Sequence, residues 1–172
     1  MSDAPTIQDL NDMTRVRFIG ALGAVFEMSP WIVEEVWEIR PFTGRADLMA
    51  KMMGVVEKSG AKRQLALLGA HPDLAGKAAR AGTLTALSAQ EQSGAGLDRL
   101  SDQEFERFHE LNDAYRARFG FAFIIAVKDT DRAGILAAFE ARLENGRQEE
   151  RAEALRQVGR IAEIRLAEIV AE

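Results

Sequence analysis

The sequence predicts an all-α fold, a single-domain helical bundle of about seven or more helices over residues 1–172. Apolar residues recur three and four positions apart through most of the chain, as the buried face of a helix requires. Only residues 121–127 have the β-branched and aromatic composition of a strand, and no second such segment is available to pair with them. Helices packed on helices are therefore the expected architecture.

Capping and breaking residues place the helices in the first part of the chain. Ser29 and Pro30 supply an N-cap and a proline at the first helical position, where the missing N–H costs nothing. Thr43 is expected to cap the next helix, which Ser59 and Gly60 end. The helices predicted here span residues 7–26, 31–39, 44–58 and 62–68.

The same reasoning places the helices in the second part. Ser101 and Glu104 form a capping box, and Gly120 is a natural terminator for the helix that follows. Asn145 and Gly146 separate the last two helices. The helices predicted here span residues 102–119, 131–143 and 147–170.

Composition excludes several classes of function. A net charge of −5 with both signs interspersed offers no basic surface to a phosphate backbone, so no nucleic-acid partner is expected. The absence of cysteine removes disulfides and thiolate nucleophiles. No uncharged apolar run reaches the ~20 residues that span a bilayer, and the N-terminus lacks a signal-peptide pattern. We expect a soluble, cytoplasmic protein without a membrane partner.

Residues 71–96 interrupt the helical pattern and contain the first candidate catalytic side chain. His71 is one of two histidines, and Pro72 with glycines on either side makes the chain turn at this point. Histidine titrates near neutral pH and is the usual general acid or base. A helix-terminal histidine that hydrogen-bonds a backbone carbonyl is the alternative, and the sequence leaves both interpretations open.

Glu91 lies in a polar cluster twenty residues after His71. Ser88 and Glu91 have the spacing of a capping box, which would explain both residues without any function. Gln90, Glu91 and Gln92 nevertheless place three hydrogen-bonding side chains at one short helical start, which also suits a polar ligand. Both interpretations remain open.

Arg165 falls within the apolar arc of the last predicted helix, whereas Arg156 and Arg160 fall outside it. A cation in that position must extend toward solvent or find an anion, because an unpaired buried charge is very costly. Extension toward solvent is the common outcome. The alternative is a guanidinium that binds a carboxylate or a planar urea-like group, which its fork geometry matches.

The strand-like residues 121–127 present a separate problem. A buried extended segment without a neighbouring strand would leave backbone groups without partners, at ~1–3 kcal/mol each. We therefore expect the segment either to coil into a helical turn or to bind a ligand through its backbone.

Other familiar catalytic and binding patterns are missing from the sequence. It contains no Gly-rich phosphate loop, no Gly-x-Ser-x-Gly elbow and no His-Glu-x-x-His pattern. The second histidine, His109, has no other ligand at metal spacing and is assigned no function. No metal site is expected.

Six short patterns occur in order along nearly the whole chain. They are Phe26-Glu27-x-Ser29-Pro30-Trp31, Arg40-Pro41-Phe42, His71-Pro72-Asp73-Leu74-Ala75-Gly76, Ser88-x-x-Glu91-Gln92-x-Gly94-Ala95-Gly96-Leu97, Leu111-Asn112-x-x-Tyr115 and Phe119-Gly120-Phe121-x-Phe123-Ile124-Ile125. In combination they make the chain resemble the OHCU decarboxylase family, which acts on 2-oxo-4-hydroxy-4-carboxy-5-ureidoimidazoline (OHCU) in urate breakdown.

The resemblance implies an all-helical, usually dimeric enzyme that needs no cofactor and releases CO2 to give (S)-allantoin. The family's catalytic histidine, glutamate and active-site arginine fall on His71, Glu91 and Arg165. Its substrate-contacting positions fall on Pro72, Ser88, Ala89, Gln90, Glu91, Gln92, Phe123, Ile124, Ile125, Ala126 and Val127. Ala122 stands where the family commonly has proline, so the backbone that follows is expected to be less rigidly preset.

Other functions remain open from the sequence. The same pocket could bind a ureido compound such as allantoin without turning it over, or belong to a lyase or hydrolase for another ureido acid. A purely structural helical bundle would bind none of these, and replacing Arg165 with leucine or methionine should then stabilise it.

Overall fold

The computed structural model describes residues 4–172. This part of the chain contains ten α-helices, one 3₁₀ turn and no β-strand, which confirms the all-α prediction. The 3₁₀ turn spans Val127–Asp129. The helices are α1 Ile7–Asp12, α2 Arg15–Leu22, α3 Trp31–Trp37, α4 Arg45–Lys58, α5 Ala61–Gly69, α6 Lys77–Ala81, α7 Ala86–Gly94, α8 Asp102–Phe119, α9 Arg132–Leu143 and α10 Arg147–Ile169.

The described residues form two compact units. One comprises residues 4–67 with 159–172, and the other comprises residues 68–158. The chain passes from one unit to the other within α5 and within α10. That residues 1–172 behave as a single domain stays a prediction.

In the first unit, α3 packs against both α2 and α4. The core of this unit is apolar, and the rings of Phe18 and Phe42 stack in it with their centroids 5.8 Å apart. The fully buried side chains of this unit include Leu10, Phe18, Leu22, Ile32, Val33, Val36, Leu48, Met52, Ala162 and Leu166.

The first predicted helix, residues 7–26, is wrong as a single element, because the chain breaks at Met13 and Thr14. Met13 is extended, with φ −68° and ψ 145°, and Thr14 begins the second helix in an extended conformation. The Arg40 guanidinium donates hydrogen bonds to the carbonyls of Asn11 and Met13, both at 3.1 Å. Partners distant in sequence therefore bind the carbonyls that the break exposes.

Two further boundaries in this unit differ from the predictions. The helix expected over residues 31–39 ends at Trp37. Thr43 does not cap α4, since Gly44 occupies the N-cap position. The Thr43 N–H instead donates to the Asp47 carboxylate at 3.0 Å. The predicted end of α4 at residue 58 is confirmed.

In the second unit, α8 packs against α9 around a cluster of aromatic rings. The capping box of Ser101 and Glu104 is present, and Gly120 ends α8 in the left-handed conformation, with φ 83°. Both features were predicted. Tyr115 lies at the centre of the cluster, fully buried, and its ring meets those of Phe121, Phe123 and Phe139 edge-on.

The described helices are too short or too polar to be membrane spans. No helix within residues 4–172 combines the length and the apolar character needed to cross a bilayer.

The break between α1 and α2 should depend on Arg40. Replacing Arg40 with alanine removes hydrogen bonds to the carbonyls of Asn11, Met13 and Trp37, and also the stacking of the guanidinium 3.8 Å from the Trp37 ring centroid. We expect the free energy of unfolding in urea to fall by ~1–3 kcal/mol. Arg17→Ala, an exposed position on α2, is the control and should change it by less than ~0.5 kcal/mol. Equal losses in the two variants would contradict this account.

Candidate active site

The loop that follows α5 carries His71. Its backbone N–H donates to the Leu68 carbonyl at 3.3 Å, so the histidine begins the turn as the helix ends. The residue is buried, with 8 % of its surface exposed, and Pro72 beside it is partly buried. Burial in a loop, where main-chain groups have no helical partners, is unusual unless side chains elsewhere hold the loop.

Gln92 is one of the side chains that hold this loop. Its amide oxygen accepts a hydrogen bond from the Ala75 N–H at 2.9 Å, and its amide nitrogen donates to the Asp73 carbonyl at 3.3 Å. Ala75 has a φ of +50°, a left-handed conformation that costs an ordinary residue ~1–2 kcal/mol. Gln92 therefore stabilises a strained turn immediately after His71.

Two side chains of α8 hold the loop from another direction. The Asn112 amide nitrogen donates to the Leu74 carbonyl at 2.9 Å, and the Arg116 Nε donates to the Asp73 carboxylate at 2.8 Å. Asn112 is almost fully buried. Sequence reasoning did not assign a role to either residue, although a polar Asn112 within the apolar face of α8 was a usable signal.

α7 carries Glu91 and four of the other predicted site residues. Thr85 caps this helix, its hydroxyl accepting from the Ser88 N–H at 3.4 Å. The capping-box interpretation of Ser88 and Glu91 is therefore wrong, because Ser88 lies inside the first turn and Glu91 lies well beyond it. Glu91 is partly buried, and helix capping does not explain its presence.

The faces of α7 divide the predicted residues. Positions 88, 91 and 92 share one side of a helix, and the structure shows Ser88 and Gln92 buried there. Ala89 and Gln90 are exposed. α7 also packs against the 3₁₀ turn that contains Val127. The second unit thus brings together the His71 loop, the Glu91 helix and the end of the predicted backbone segment.

The strand-like segment is neither a strand nor a helical turn over residues 122–126. The Ile124 carbonyl accepts a hydrogen bond from Arg142 of α9 at 2.7 Å, and the Ala126 N–H donates to the side chain of Gln157 of α10 at 3.0 Å. The expectation that the segment would coil is wrong for these residues. Side chains supply hydrogen-bond partners that the sequence analysis did not foresee.

Arg142 belongs to a buried polar cluster that sequence reasoning missed. Its guanidinium donates two hydrogen bonds to the same oxygen of Glu150, which is completely buried, and that oxygen also accepts from the Tyr115 hydroxyl. Asn145 donates to the other Glu150 oxygen at 2.9 Å. Burial raises the pKa of the Tyr115 phenol most, and the hydrogen bond to Glu150 raises it further, so Tyr115 remains a neutral donor.

Arg165 lies in the first unit, within the apolar arc of α10, and is 2 % exposed. Its Nη1 lies 3.2 Å from the Glu27 carboxylate and donates to the carbonyls of Ala24 and Val25 at 3.3 and 3.4 Å. The interpretation of Arg165 as a side chain extended into solvent is wrong. Arg156 and Arg160 are exposed, as predicted.

Within residues 4–172, neither a metal-ligand cluster, nor the open cleft of the first unit, nor His109 adds a residue to the candidate site. No group of three or more histidine, aspartate or glutamate side chains within residues 4–172 is arranged to hold a metal ion. The first unit has an open cleft of ≈ 600 Å³, and none of the predicted site residues lines it. His109 is exposed and lies 3.4 Å from Asp113.

Comparison with known proteins identifies the family. The family model for OHCU decarboxylase matches residues 11–167. The chain belongs to the OHCU decarboxylase family.

Individual relatives show how far the similarity to OHCU decarboxylases extends. The OHCU decarboxylase of Halalkalicoccus jeotgali is 42% identical over 95% of this chain and 91% of its own length. The uric acid degradation bifunctional protein PucL of Bacillus subtilis is 42% identical over 97% of this chain, which spans 33% of that protein. A crystal structure of (S)-allantoin synthase matches with a TM-score of 0.79 at 31% identity, covering 97% of this chain and 54% of that one.

The stability of the His71 loop in this family member should depend on Gln92. Gln92→Ala removes both amide hydrogen bonds and leaves the buried Ala75 N–H without its acceptor. We expect a loss of ~1–3 kcal/mol in the free energy of unfolding, measured in urea. Gln90→Ala, on the exposed side of the same helix, should change it by less than ~0.5 kcal/mol. Identical unfolding midpoints would show that the two amide bonds contribute nothing.

The buried pair of Arg165 and Glu27 gives a second prediction. Arg165→Leu leaves the Glu27 carboxylate buried without its cation, so the free energy of unfolding should fall by ~3–5 kcal/mol. Adding Glu27→Gln should recover part of that loss, giving a coupling energy of at least ~1 kcal/mol in a double-mutant cycle. A stabilised Arg165→Leu variant would instead support the interpretation of Arg165 as a poorly placed charge.

Proposed function

We propose that this protein decarboxylates OHCU to (S)-allantoin and CO2 in urate catabolism. Family membership supports the reaction. The observation that carries the assignment to this site is the pair of Gln92 hydrogen bonds, which tie the loop of buried His71 to the helix of Glu91. Such a tie fixes an acid–base side chain in position before the substrate binds, as efficient proton transfer requires.

The substrate's own chemistry removes the need for a cofactor. When the bond to the carboxylate breaks, its electron pair moves toward the adjacent imidazoline C=N, and the nitrogen takes up a proton. The product of this step is CO2 and an enol-like intermediate. Protonation of one face of the ureido-bearing carbon then gives (S)-allantoin. The protein's tasks are to stabilise the intermediate and to direct that proton.

His71 is proposed to move the proton, because imidazole both donates and accepts near neutral pH. Glu91 orients His71 or takes the proton of the substrate hydroxyl. No capping role competes for Glu91, since Thr85 caps α7. Arg165 is proposed to bind the anionic or ureido end of the substrate. Glu27 and two backbone carbonyls fix its guanidinium within the first unit, and so reduce the entropy lost on binding.

The remaining predicted contacts are proposed to bind the substrate. Pro72 borders the His71 loop, and α7 contributes its side chains at positions 88–92. The backbone of residues 123–127 is proposed to bind the amide groups of the ring. The resemblance to the family also supports a homodimer, and the composition supports a cytoplasmic location.

The test is to generate OHCU in situ from urate with urate oxidase and hydroxyisourate hydrolase, and to follow (S)-allantoin by circular dichroism. Spontaneous decay gives a racemate, so only catalysis gives a growing signal. His71→Ala should lower the rate by ~10²–10⁴, as loss of a general acid or base does. His109→Ala, at the exposed histidine, is the matched control and should keep the wild-type rate.

Glu91→Gln should also lose most activity while retaining the helical circular dichroism spectrum. Near-normal turnover in folded His71→Ala and Glu91→Gln variants would overturn the assignment of these residues. Absence of catalysis by folded wild-type protein would overturn the proposed reaction, and binding of (S)-allantoin without turnover would then favour a non-catalytic ureido-binding protein.

A further inference from the structure

Two side chains bind the backbone of the segment before the 3₁₀ turn, residues 122–126. Ile124 accepts through its carbonyl from Arg142, and Ala126 donates through its N–H to Gln157. In extended backbone the N–H and C=O of one residue point to the same side, and those of the next residue point to the opposite side. An extended chain whose residues 124 and 126 are hydrogen-bonded from one side therefore leaves the N–H and C=O of residue 125 for a partner on the other side.

Ile125 lies between the two bound residues. No side chain or backbone group within residues 4–172 hydrogen-bonds the main chain of Ile125. Ile125 is also partly exposed, whereas the residues on either side of it, Ile124 and Ala126, are buried. The main-chain N–H and C=O of Ile125 are therefore an adjacent donor and acceptor that no described residue binds.

Arg142 is held in place by two buried partners. Its charge is neutralised by fully buried Glu150, and its guanidinium lies 4.4 Å from the centroid of the Phe123 ring. Replacing a buried ion pair with apolar side chains is often neutral or stabilising. This buried pair fixes the guanidinium that donates to the Ile124 carbonyl, and so it restrains the backbone there.

We propose that Arg142 and Gln157 are positioning residues that fix residues 124 and 126, so that the Ile125 N–H and C=O together bind a cyclic ureide. Such a ring presents a carbonyl beside an N–H, the complement of an adjacent donor and acceptor. The inference rests on the proposed decarboxylase function. It assigns substrate orientation to side chains on α9 and α10 that bind the backbone of this segment.

The first test replaces Gln157 with leucine, which keeps the volume and removes the acceptor. Gln157 is only partly buried, so the variant should fold. We expect the KM for OHCU and the Kd for (S)-allantoin to rise about tenfold, the equivalent of one hydrogen bond, with a smaller change in kcat. Gln148→Leu, on an exposed turn of α10, is the matched control and should leave both constants unchanged.

An exchange variant separates positioning from packing. Gln157 also donates to Glu153 at 2.9 Å, so E153Q/Q157E reverses that bond and keeps an oxygen for the Ala126 N–H. It should restore KM to near the wild-type value. A tenfold rise in KM that the exchange does not restore would attribute the defect to packing and overturn the inference.

The second test removes the Arg142 cluster without leaving a buried charge. The triple variant R142M/E150L/Y115F makes the three sites apolar together, so it loses the hydrogen bond to the Ile124 carbonyl but leaves no unpaired buried charge, and it should still fold. KM should again rise about tenfold. Wild-type KM in Gln157→Leu and in a folded triple variant would overturn the inference while leaving the decarboxylase proposal intact. Absence of catalysis by folded wild-type protein would overturn both the decarboxylase proposal and this inference.

Discussion

Buried backbone outside the helices is the constraint on which this structure depends. Helices satisfy their own N–H and C=O groups, but the His71 loop and the segment before the 3₁₀ turn do not. Each is buried, and each is bound by side chains: the amides of Gln92 and Asn112 in one, the guanidinium of Arg142 and the amide of Gln157 in the other. These are the two places where the proposed chemistry needs non-helical backbone.

Arginine side chains also bind main-chain carbonyls in this structure. The two most deeply buried of these arginines are each paired with a buried glutamate. Arg40 is partly exposed and binds the carbonyls at the α1–α2 break without a carboxylate. Arg142 and Arg165 are almost fully buried, and each binds main-chain carbonyls while a glutamate neutralises it. The difference follows from desolvation, because a buried cation needs an anion as well as hydrogen-bond acceptors.

Local sequence predicted most of the longer helices because their determinants lie within a few residues, whereas α6 and α7, within residues 71–96, were not among the predicted spans. The Ser101 capping box and the Gly120 terminator are examples, and periodicity placed Arg165 within the apolar arc of the last helix without deciding whether it would be buried. The break at Met13 was missed because its support comes from Arg40, and the partner of Arg165 was missed because Glu27 lies 138 residues away. Periodicity carries no information about such pairings. For the same reason, the resemblance rather than the spacing supplied the role of Arg165.

The departure at Ala122 shows how local and distant constraints substitute for one another. A proline there would fix one φ angle and restrict its neighbour, whereas alanine leaves both free. In this chain Arg142 and Gln157 bind the backbone two and four residues later, so the segment is fixed through hydrogen bonds rather than through its own dihedrals. Such a restraint acts only in the folded protein, because its donors and acceptors lie on other helices. The segment's order is then coupled to the packing of α9 and α10, which a proline would not require.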